Sequence, residues 1–391
     1  MKALFCYDGP LYKDEYGDYY DSILNDQMFQ RYFNVADELE VLIRIRNVKR
    51  EDVENKMSRL TDSRIKVVEC PNLASVSGLL KDSSTAKKIL KDRIKKAEIC
   101  FCRLPSVIGN YSVDICKKLC KKYLVEVVGC PWDSYTNYSY KGKLVAPFAM
   151  VAMKKRVYKA PFVLYVTNQF LQKRYPTKGQ SINCSNVELP PVNDEILSNR
   201  LKRIASCKST SKYTIGTAAG LDVLYKGQQY VIGALAELKK RGITNIEYQL
   251  IGGGTGNYLK KVAKDLGVQE QLIIVGQMPH DKVFEWMDNL DFYAQPSRQE
   301  GLPRSMIEAM SRGLPCIGAK TAGIPELIET EYIFPNTSDE INEIANILEI
   351  LINNTEKCRS AATVNFEEAK KYQKEILVAR RTEFFKKCIS S

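Results

Sequence analysis

Short apolar runs alternate with amphipathic stretches along both halves of the chain. In the first half, the runs typical of strands lie at residues 3–7, 39–45, 66–69, 99–103, 124–128 and 162–166. Between them, apolar residues recur at helical spacing, most clearly over residues 20–35 and 111–122. Strands and helices that alternate in this way predict β-α-β units built around a largely parallel sheet.

The second half repeats this pattern. Strands are predicted at residues 213–216, 248–251, 272–275, 292–294 and 315–318, and helices at 227–241, 258–266, 282–289 and 303–312. Helical sequence resumes at residue 338, whereas residues 186–194 contain a Pro-Pro pair that breaks the periodicity. The predicted fold class is therefore α/β, with two doubly wound domains and a cleft between them. The domains span residues 1–188 and 196–370, with a linker at 189–195 and a terminal helical segment at 371–391.

The composition is that of a globular protein of two or three domains. Hydrophobic residues make up 45% and charged residues 27% of the 391 positions, which excludes a long disordered region. No stretch approaches the ~20 apolar residues of a membrane-spanning helix. The apolar run at the N-terminus is too short for a signal peptide. These features predict a cytoplasmic protein.

The cysteines and the single histidine argue against a metal site. Twelve cysteines are scattered along the chain without a Cys-x-x-Cys pair, and the only histidine is His280. Because structural zinc sites need clustered Cys and His ligands, we expect buried, reduced thiols and no metal.

The charge is divided unequally between the two halves. Residues 1–205 contain 35 Lys and Arg against 23 Asp and Glu, whereas residues 206–391 contain 23 of each. Basic clusters recur in the first half at residues 87–96, 117–122 and 154–156. They are compatible with solvated helix faces, or with an anionic partner such as phospholipid headgroups or a pyrophosphate-bearing substrate. Because no recognition motif accompanies the charge, we expect no nucleic-acid partner.

A glycine-rich loop follows a predicted strand at residues 251–257, Ile-Gly-Gly-Gly-Thr-Gly-Asn. Glycines at this position let the backbone approach a phosphate or a sugar, so Gly253 and Gly254 are candidate ligand-binding positions. A tight structural turn explains the same residues. The dinucleotide fingerprint is not met, because it requires glycine where the chain has Asn257.

A sharper motif spans residues 295–310, Gln-Pro-Ser-Arg-Gln-Glu-Gly-Leu-Pro-Arg-Ser-Met-Ile-Glu-Ala-Met. A strand is predicted to end near its start, and Pro303 suits the first position of the following helix. The free amides of Arg304 and Ser305 would then form a phosphate site at the positive end of the helix. Because carboxylates repel phosphate, we expect Glu300 and Glu308 to bind hydroxyl groups of a sugar and a ribose. For either residue alone, a solvated Glu in an acidic first helical turn is the alternative.

This motif resembles that of the retaining family 4 glycosyltransferases, which have the GT-B fold. The resemblance rests on Glu300-x7-Glu308, on Gly-Leu-Pro after Glu300, on Glu-Ala-Met-Ser-Arg-Gly-Leu-Pro-Cys-Ile-Gly, and on Thr-Ala-Gly-Ile-Pro-Glu326. It covers roughly residues 212–330. It implies two Rossmann-like domains facing across a cleft, with the nucleotide-sugar donor held by the C-terminal domain. The terminal helix is implied to return and pack on the N-terminal domain.

The resemblance also implies roles for individual residues. Glu300 would meet sugar hydroxyls, Glu308 the ribose, and Lys226 the phosphates, while the loop after residue 275 would line the base. The loop after the first strand, with Gly9, would approach the donor phosphates and the acceptor. With the glycine-rich loop, the implied donor-binding set is Gly9, Gly253, Gly254, Gln277, Met278, Gly301, Leu302, Pro303, Arg304, Ser305 and Glu308.

Two departures from the family pattern stand out. The arginine usually found about six residues before the lysine is absent, because the chain has Ala-Ala-Gly-Leu at 218–221; Arg304 is a candidate replacement. The histidine that many relatives place in the N-terminal domain is also absent. Asp133 or Trp132 would contact the sugar or the acceptor there, or would form only a structural turn. We expect His280 to lie near a helix N-cap and to be non-catalytic.

The sequence therefore predicts a retaining hexosyl- or N-acetylhexosaminyltransferase that uses a nucleotide sugar, with UDP as the expected carrier. Its predicted catalytic residues are Glu300, Lys226 and Asp133. No Asp-x-Asp motif occurs, so we expect no metal and no cofactor. The expected acceptor is a lipid-linked glycan of a bacterial O-antigen, capsule or exopolysaccharide, reached at an anionic membrane surface on the cytoplasmic side. The alternatives are a sugar-nucleotide epimerase of the same fold and a non-catalytic subunit that binds a nucleotide sugar.

Overall fold

The computed structural model describes residues 1–54, 56–73, 75–138, 140–207 and 211–391, which form two compact units. Unit 1 comprises Met1–Tyr135, Tyr140–Cys184 and Leu377–Ser391. Unit 2 comprises Ser185–Ile376 and a short segment that begins at Thr136. The main part of unit 2 thus begins at Ser185, a few residues before the predicted linker at 189–195.

Unit 1 is built on a mainly parallel sheet. Its parallel strands lie in the spatial order β5-β3-β1-β6-β7-β8-β9, and the short strands β2 and β4 extend the sheet antiparallel from the far end of β1. Its strands are β1 (Lys2–Lys13), β2 (Tyr19–Asp21), β3 (Glu38–Asn47), β4 (Ser58–Arg59), β5 (Ile65–Cys70), β6 (Ile99–Leu104), β7 (Lys122–Val127), β8 (Phe162–Tyr165) and β9 (Gln180–Asn183).

Helices follow most of these strands, and the C-terminal helix completes the core of unit 1. The rings of Phe385 and Phe101 lie 4.6 Å apart, and that of Tyr32 lies 4.7 Å from Phe101. The terminal helix α15 is therefore an integral part of this unit. Its helices are α1 (Asp26–Phe29), α2 (Arg50–Val53), α3 (Val76–Lys96), α4 (Val107–Lys118), α5 (Pro131–Tyr138), α6 (Tyr140–Tyr158), α7 (Phe170–Arg174) and α15 (Lys374–Ser390).

The prediction for the first 35 residues is wrong in two respects. Strand β1 does not end at residue 7 but continues to Lys13 through an irregularity in its pairing with β3, so Gly9 lies within a strand and not in a loop. The helix predicted over residues 20–35 is replaced by β2, α1 and a 3-10 helix, Gln30–Tyr32. The Asp21 carboxylate accepts hydrogen bonds from two backbone amides here, and Asn25 caps α1. Such local side-chain bonds compete with a continuous helix.

Unit 2 is built on a fully parallel sheet with the strand order β12-β11-β10-β13-β14-β15 among the residues described. Helices α9 to α12 alternate with the strands, as the sequence predicts. The elements are α8 (Asp194–Ser206), β10 (Tyr213–Ala218), α9 (Gln228–Lys240), β11 (Ile246–Ile251), α10 (Asn257–Asp265), β12 (Leu272–Gly276), α11 (His280–Asp288), β13 (Phe292–Gln295), α12 (Arg304–Ser311), β14 (Cys316–Ala319), β15 (Ile333–Phe334), α13 (Glu340–Asn353) and α14 (Thr355–Lys370).

All twelve cysteines are unbonded thiols, and most of them are buried; Cys120 is exposed. Burial raises the pKa of Cys70 to about 12 and that of Cys358 to about 12. Among the helices described, none has the length and apolar character needed to cross a bilayer.

Candidate functional site

The candidate site of unit 2 lies at the carboxyl ends of its central strands. Strands β10 and β13 are neighbours in the sheet, and each is followed by a loop that leads into a helix. In parallel α/β sheets, ligands bind beyond the carboxyl ends of the strands. The two loops, residues 219–227 and 296–303, carry Lys226 and Glu300 respectively.

Lys226 and Glu300 form an ion pair between these two loops. The Nζ atom of Lys226 lies 2.7 Å from Oε1 of Glu300, and the side chains are 24% and 12% exposed. The amide of Gln295, at the end of β13, donates to the same carboxylate oxygen at 3.1 Å. The structure therefore brings together the two residues predicted as the phosphate cation and the sugar-binding carboxylate.

The backbone fixes Lys226 in place. Lys226 ends a 3-10 helix, Leu224–Lys226, and Gly227 follows in the left-handed region with φ +78°. A Cβ atom at Gly227 would lie 2.0 Å from the carbonyl oxygen of Pro296. Only glycine allows the two loops to approach this closely.

Arg298 links the same loops, a role that the sequence analysis missed. Its backbone N–H donates to the carbonyl oxygen of Tyr225 at 2.7 Å, and its guanidinium pairs with the buried Glu340 of α13. The guanidinium carbon also lies 4.6 Å from the ring centroid of Tyr230. Arg298 therefore has a structural role. In the sequence, only its place in the motif at 295–310 could have indicated that role.

Helix α12 presents its N-terminus to this site. The helix begins at Arg304, one residue later than predicted, and Pro303 precedes it as an N-cap without a capping side chain. The first amides of the helix thus have no intrahelical acceptor and carry the positive end of its dipole. Arg304 is exposed, and its side chain makes no hydrogen bond or ion pair with the described part of the chain.

The remaining motif residues support this helix start. The hydroxyl of Ser305 lies 3.3 Å from Oε1 of Gln295, and the carbonyl oxygen of Gly301 accepts from the amide of Gly323 at 2.9 Å. Leu302 and Pro303 are buried. Their side chains hold the turn, so their contact with a ligand would come through the backbone.

Glu308 lies in the second turn of α12 and is almost completely buried. Oε1 of Glu308 lies 3.1 Å from Nε2 of His280, which is the first residue of α11 and not its N-cap. This hydrogen bond raises the pKa of His280; burial opposes the rise, and the negative charge of Glu308 adds to it. No sequence pattern connects His280 with Glu308, because 28 residues separate them.

The glycine-rich loop adopts the conformations that only glycine accepts readily. Gly252 has φ +144°, and a Cβ atom there would lie 2.1 Å from the carbonyl oxygen of Ala219. Gly253 is exposed, and the side-chain oxygen of Gln277 lies 3.5 Å from where its Cβ would be. The structure thus brings Gly253 and Gln277 together, with Met278 next along the chain and half-buried.

An internal carboxylate already occupies the amides of this loop. Asp222 accepts hydrogen bonds from the backbone N–H groups of Thr255 at 2.8 Å and Gly256 at 2.9 Å. These bonds lower the pKa of Asp222. Gly254 is glycine for the same reason, since a Cβ atom would lie 2.9 Å from the Asp222 carboxylate. Two amides just before α10 are therefore already bonded to a carboxylate, whereas α12 has no capping side chain at its start.

Two predicted residues, Gly9 and Asp133, belong to unit 1. Asp133 lies in the first turn of α5, and both its carboxylate oxygens lie 3.3 Å from a guanidinium nitrogen of Arg174. Next to Gly9, burial raises the pKa of Asp8, whose carboxylate accepts from the backbone amides at the start of α4. Among the residues described, no three His, Cys, Asp or Glu side chains converge as metal ligands.

Comparison with known proteins gives the family. Residues 205–365 match the family described as glycosyl transferases group 1. Protein CapJ of Staphylococcus aureus is 30% identical over 343 residues, which cover 85% of this chain and 82% of that protein. The capsular polysaccharide biosynthesis glycosyltransferase CapH of S. aureus is 28% identical over 122 residues, 30% of this chain and 33% of that protein.

Solved structures match the complete fold. Sucrose-phosphate synthase from Thermosynechococcus elongatus has a TM-score of 0.70 at 13% identity, covering 100% of this chain and 99% of that chain. HepE of Anabaena in complex with UDP-glucose has a TM-score of 0.64 at 17% identity, covering 99% and 100%. The predicted fold class is confirmed: the chain has α/β units with mainly parallel sheets, and its structure matches GT-B glycosyltransferases. The chain is a glycosyltransferase and belongs to the family of glycosyl transferases group 1.

Proposed function

We propose that the chain is a retaining family 4 glycosyltransferase that moves a sugar from a nucleotide sugar to a lipid-linked glycan. The observation that carries the proposal is the Lys226–Glu300 ion pair, held by two loops beside the open N-terminus of α12. It combines, in one place, a cation for the leaving phosphate, a carboxylate for sugar hydroxyls and helix amides for an anion.

We assign a contact to each part of the donor. Its diphosphate lies against the first amides of α12 and the ammonium group of Lys226, and the transferred sugar bonds to Glu300. The ribose hydroxyls bond to Glu308, and the base lies beside Gln277 and Met278. Because Asp222 already accepts from the amides of Thr255 and Gly256, the start of α12 is the better place for the diphosphate.

Lys226 has enough donors for both of its proposed partners. An ammonium group has three N–H donors, and the Glu300 carboxylate uses one of them in the structure. A donor phosphate takes another without breaking the ion pair. Arg304, exposed at the same helix terminus, supplies the second positive charge that the family places before the lysine.

The reaction requires no protein nucleophile and no metal ion. The bond from the sugar C1 to the diphosphate oxygen breaks while the acceptor hydroxyl attacks from the same face. The hydroxyl proton passes to the departing phosphate oxygen. Lys226, Arg304 and the helix amides stabilise the negative charge that grows on the diphosphate, an interaction that strengthens toward the transition state.

The donor is proposed to be a UDP-hexose or UDP-N-acetylhexosamine, and the product an intermediate of capsule, O-antigen or exopolysaccharide synthesis. The UDP-glucose complex of HepE and the capsule function in the name of CapH support this choice. The acceptor binds to unit 1, near Gly9 and Asp133. The basic excess of residues 1–205 supports peripheral binding at the cytoplasmic face of an anionic membrane.

A screen of sugar nucleotides tests this function. The protein is heated with UDP-, GDP- and ADP-linked sugars, since a ligand at 100 times its Kd adds about 2.7 kcal/mol of stability. The stabilising donor is then incubated alone with EDTA present, and products are followed by NMR. Slow release of free sugar with the anomeric configuration of the donor supports the proposal. Interconversion of sugar nucleotides would indicate an epimerase, and binding without turnover a non-catalytic subunit.

A further inference from the structure

Helix α6 of unit 1 is apolar on both of its faces. Ala146, Met153 and Val157 are buried in the unit. On the outward face, Leu144 is 75% exposed and Phe148 is 77% exposed. A surface helix normally has one apolar stripe, which faces its own core. The second stripe of α6 therefore has no counterpart in the packing of unit 1.

The outward stripe is a continuous row. Phe148 follows Leu144 by four residues, and Val151, which is 51% exposed, follows Phe148 by three, so the three side chains lie one above another along the helix. The inner side of α6 is fixed by Arg156, which pairs with Asp114 of α4 at 2.6 Å. Rotation of the helix cannot bury the row without breaking this pair. A row of large apolar side chains on one helix marks a binding surface, unlike singly scattered ones.

Lysines flank the row at both ends. All of these lysines are exposed, and they lie within the helix or one residue beyond its end; they are Lys141, Lys143, Lys154, Lys155 and Lys159. Acidic residues are absent from the neighbouring sequence, because residues 134–187 contain nine Lys and Arg and no Asp or Glu; Asp114 of α4 pairs with Arg156. The surface is thus apolar along its middle and strongly positive at its ends.

We propose that this face of α6 docks on an anionic lipid bilayer, with Leu144, Phe148 and Val151 among the acyl chains and the lysines at the headgroup phosphates. The charge distribution is that of a helix lying in the plane of a membrane interface. A protein partner is disfavoured, because lysines are depleted in protein interfaces. A second copy of the chain is disfavoured, because a two-fold contact would set equally charged lysine clusters against each other. This inference rests on the proposed function, which places the acceptor in a membrane.

Vesicle binding of the full chain tests the proposal. The protein is sedimented with vesicles of phosphatidylcholine containing 30% phosphatidylglycerol, and with vesicles of phosphatidylcholine alone, at 0.1 and 0.5 M NaCl. Electrostatic contacts are screened by salt, whereas apolar insertion is not. The wild type should bind the anionic vesicles and retain a clear fraction of that binding at 0.5 M NaCl.

Three variants separate the two contributions. The triple variant Leu144→Ser, Phe148→Ser, Val151→Ser should lower the partition coefficient at least tenfold and lose the salt-resistant fraction. Lys154→Gln with Lys155→Gln should weaken binding at 0.1 M NaCl and leave the salt-resistant fraction. The matched control carries three equivalent changes at exposed apolar positions of unit 2, namely Leu266→Ser, Ile350→Ser and Val364→Ser. It should bind as the wild type does.

The depth of insertion has a separate measurement. Phe148→Trp should be quenched by phosphatidylcholine brominated on its acyl chains, and Ile350→Trp should not. Equal vesicle binding by the α6 triple variant, complete loss of wild-type binding at 0.5 M NaCl, or no quenching at position 148 would each overturn the proposal. If this face binds a protein partner instead, the α6 triple variant should bind vesicles as the wild type does, and a tryptophan at position 148 should not be quenched.

Donor hydrolysis distinguishes failure of this inference from failure of the proposed function. It needs no membrane, so the α6 triple variant should hydrolyse the sugar nucleotide at the wild-type rate and transfer sugar to a vesicle-embedded acceptor at least tenfold more slowly. Vesicle binding by a chain that turns over no sugar nucleotide would contradict the proposed function and leave α6 as a membrane surface. Hydrolysis without vesicle binding would contradict the α6 inference alone.

Discussion

In each unit, a basic and an acidic side chain form an ion pair near the carboxyl ends of the central strands. The two ion pairs differ in how deeply they are buried. In unit 1, Arg103 and Glu126 face each other across β6 and β7 at 2.9 Å, with side chains 6% and 3% exposed. In unit 2, Lys226 and Glu300 lie on loops beyond the strands, with 24% and 12% exposed. The first pair is enclosed by protein, and the second remains open on one side.

The enclosed pair has the contacts of a structural element. The hydroxyl of Tyr32 donates to Glu126 at 2.9 Å, and the ring of Tyr32 stacks on Phe385 of the terminal helix. Burial lowers the pKa of Arg31 to about 10. Burial opposes ionisation of Glu126 as well, but the nearby guanidinium charges of Arg103 and Arg31 outweigh it and lower its pKa. The same kind of ion pair is therefore sealed inside unit 1 and partly exposed in unit 2, where we propose that it meets a ligand.

The largest expected effect is on the stability of unit 1. Glu126→Gln removes the only carboxylate of the buried pair and leaves Arg103 uncompensated, so unfolding free energy should fall by about 3–5 kcal/mol. Urea denaturation measures this change. The matched control is Glu300→Gln, the same substitution at the open pair, which should cost less than about 1 kcal/mol. Equal losses of unfolding free energy in the two variants would contradict the difference in burial between the two ion pairs.

The next effect is on turnover in unit 2. Lys226→Ala should lower kcat by roughly 100- to 1,000-fold and change donor affinity much less, because the phosphate charge develops toward the transition state. Steady-state kinetics with the stabilising donor measure both. Arg304→Ala should act in the same direction if Arg304 supplies the second charge. Wild-type kinetics of the Arg304 variant would leave that residue without a role in the reaction.

Loss of the negative charge at the open pair should have a smaller effect. Glu300→Gln keeps the shape but replaces charge-assisted bonds to sugar hydroxyls by neutral ones, which are about half as strong. A tenfold or greater drop in kcat is expected, with circular dichroism to confirm folding. Near-wild-type turnover would separate Glu300 from the sugar. Added to Lys226→Ala, the change should be strongly non-additive, because the two side chains share one ion pair.

Glu308→Gln should mainly raise the KM for the donor, by several-fold, with little change in kcat. The proposed bonds to the ribose are made about equally in the ground state and in the transition state, so they contribute uniform binding. The readout is the ratio of the two kinetic parameters. A drop in kcat with unchanged KM would place Glu308 at the reacting sugar instead.

The smallest effect concerns pH and the His280–Glu308 bond. The pKa of His280 is raised in the folded state, so the bond stabilises the protein fully below the unfolded pKa of about 6.5 and is lost as the pH rises through the folded value. His280 is 59% exposed, so the contribution is only a few tenths of a kcal/mol. The stability difference between wild type and His280→Gln should shrink between pH 5.5 and 9; growth over that range would contradict the pairing.

Sequence patterns recovered unit 2 better than unit 1 for a physical reason. In unit 2 the strands and helices alternate regularly, and the motif at 295–310 keeps Glu300 within five residues of Gln295, its hydrogen-bond partner. In unit 1 the predicted first helix is interrupted by local side-chain bonds of Asp21 and Asn25, and the first strand is extended with the help of a distant contact. Arg44, for example, donates to the carbonyl oxygen of Asp8 where β1 continues past Tyr7.

The parts of the site that were missed depend on contacts between distant residues. Asp222 accepts a hydrogen bond from the amide of Thr255, which is 33 residues away in the sequence. Arg298 pairs with Glu340, which is 42 residues away. No local sequence pattern predicts either contact, because a single Asp or Arg in a loop can equally well be a solvent-exposed side chain. The exposed apolar face of α6 was not predicted for a different reason, which is local to the helix. Its two apolar stripes cancel in a periodicity analysis and suggest a wholly buried helix.

The placement of α15 has a consequence for how the protein is made. Residues Leu377–Ser391 belong to unit 1 but are synthesised only after the whole of unit 2, and they leave the ribosome after it. Domains fold during synthesis as their sequences emerge, so unit 2 can complete its fold while unit 1 still exposes the apolar surface around Phe101 that Phe385 covers. A chain interrupted anywhere in unit 2 would therefore display this surface to chaperones and proteases. The terminal helix thus makes completion of the first unit conditional on synthesis of the second.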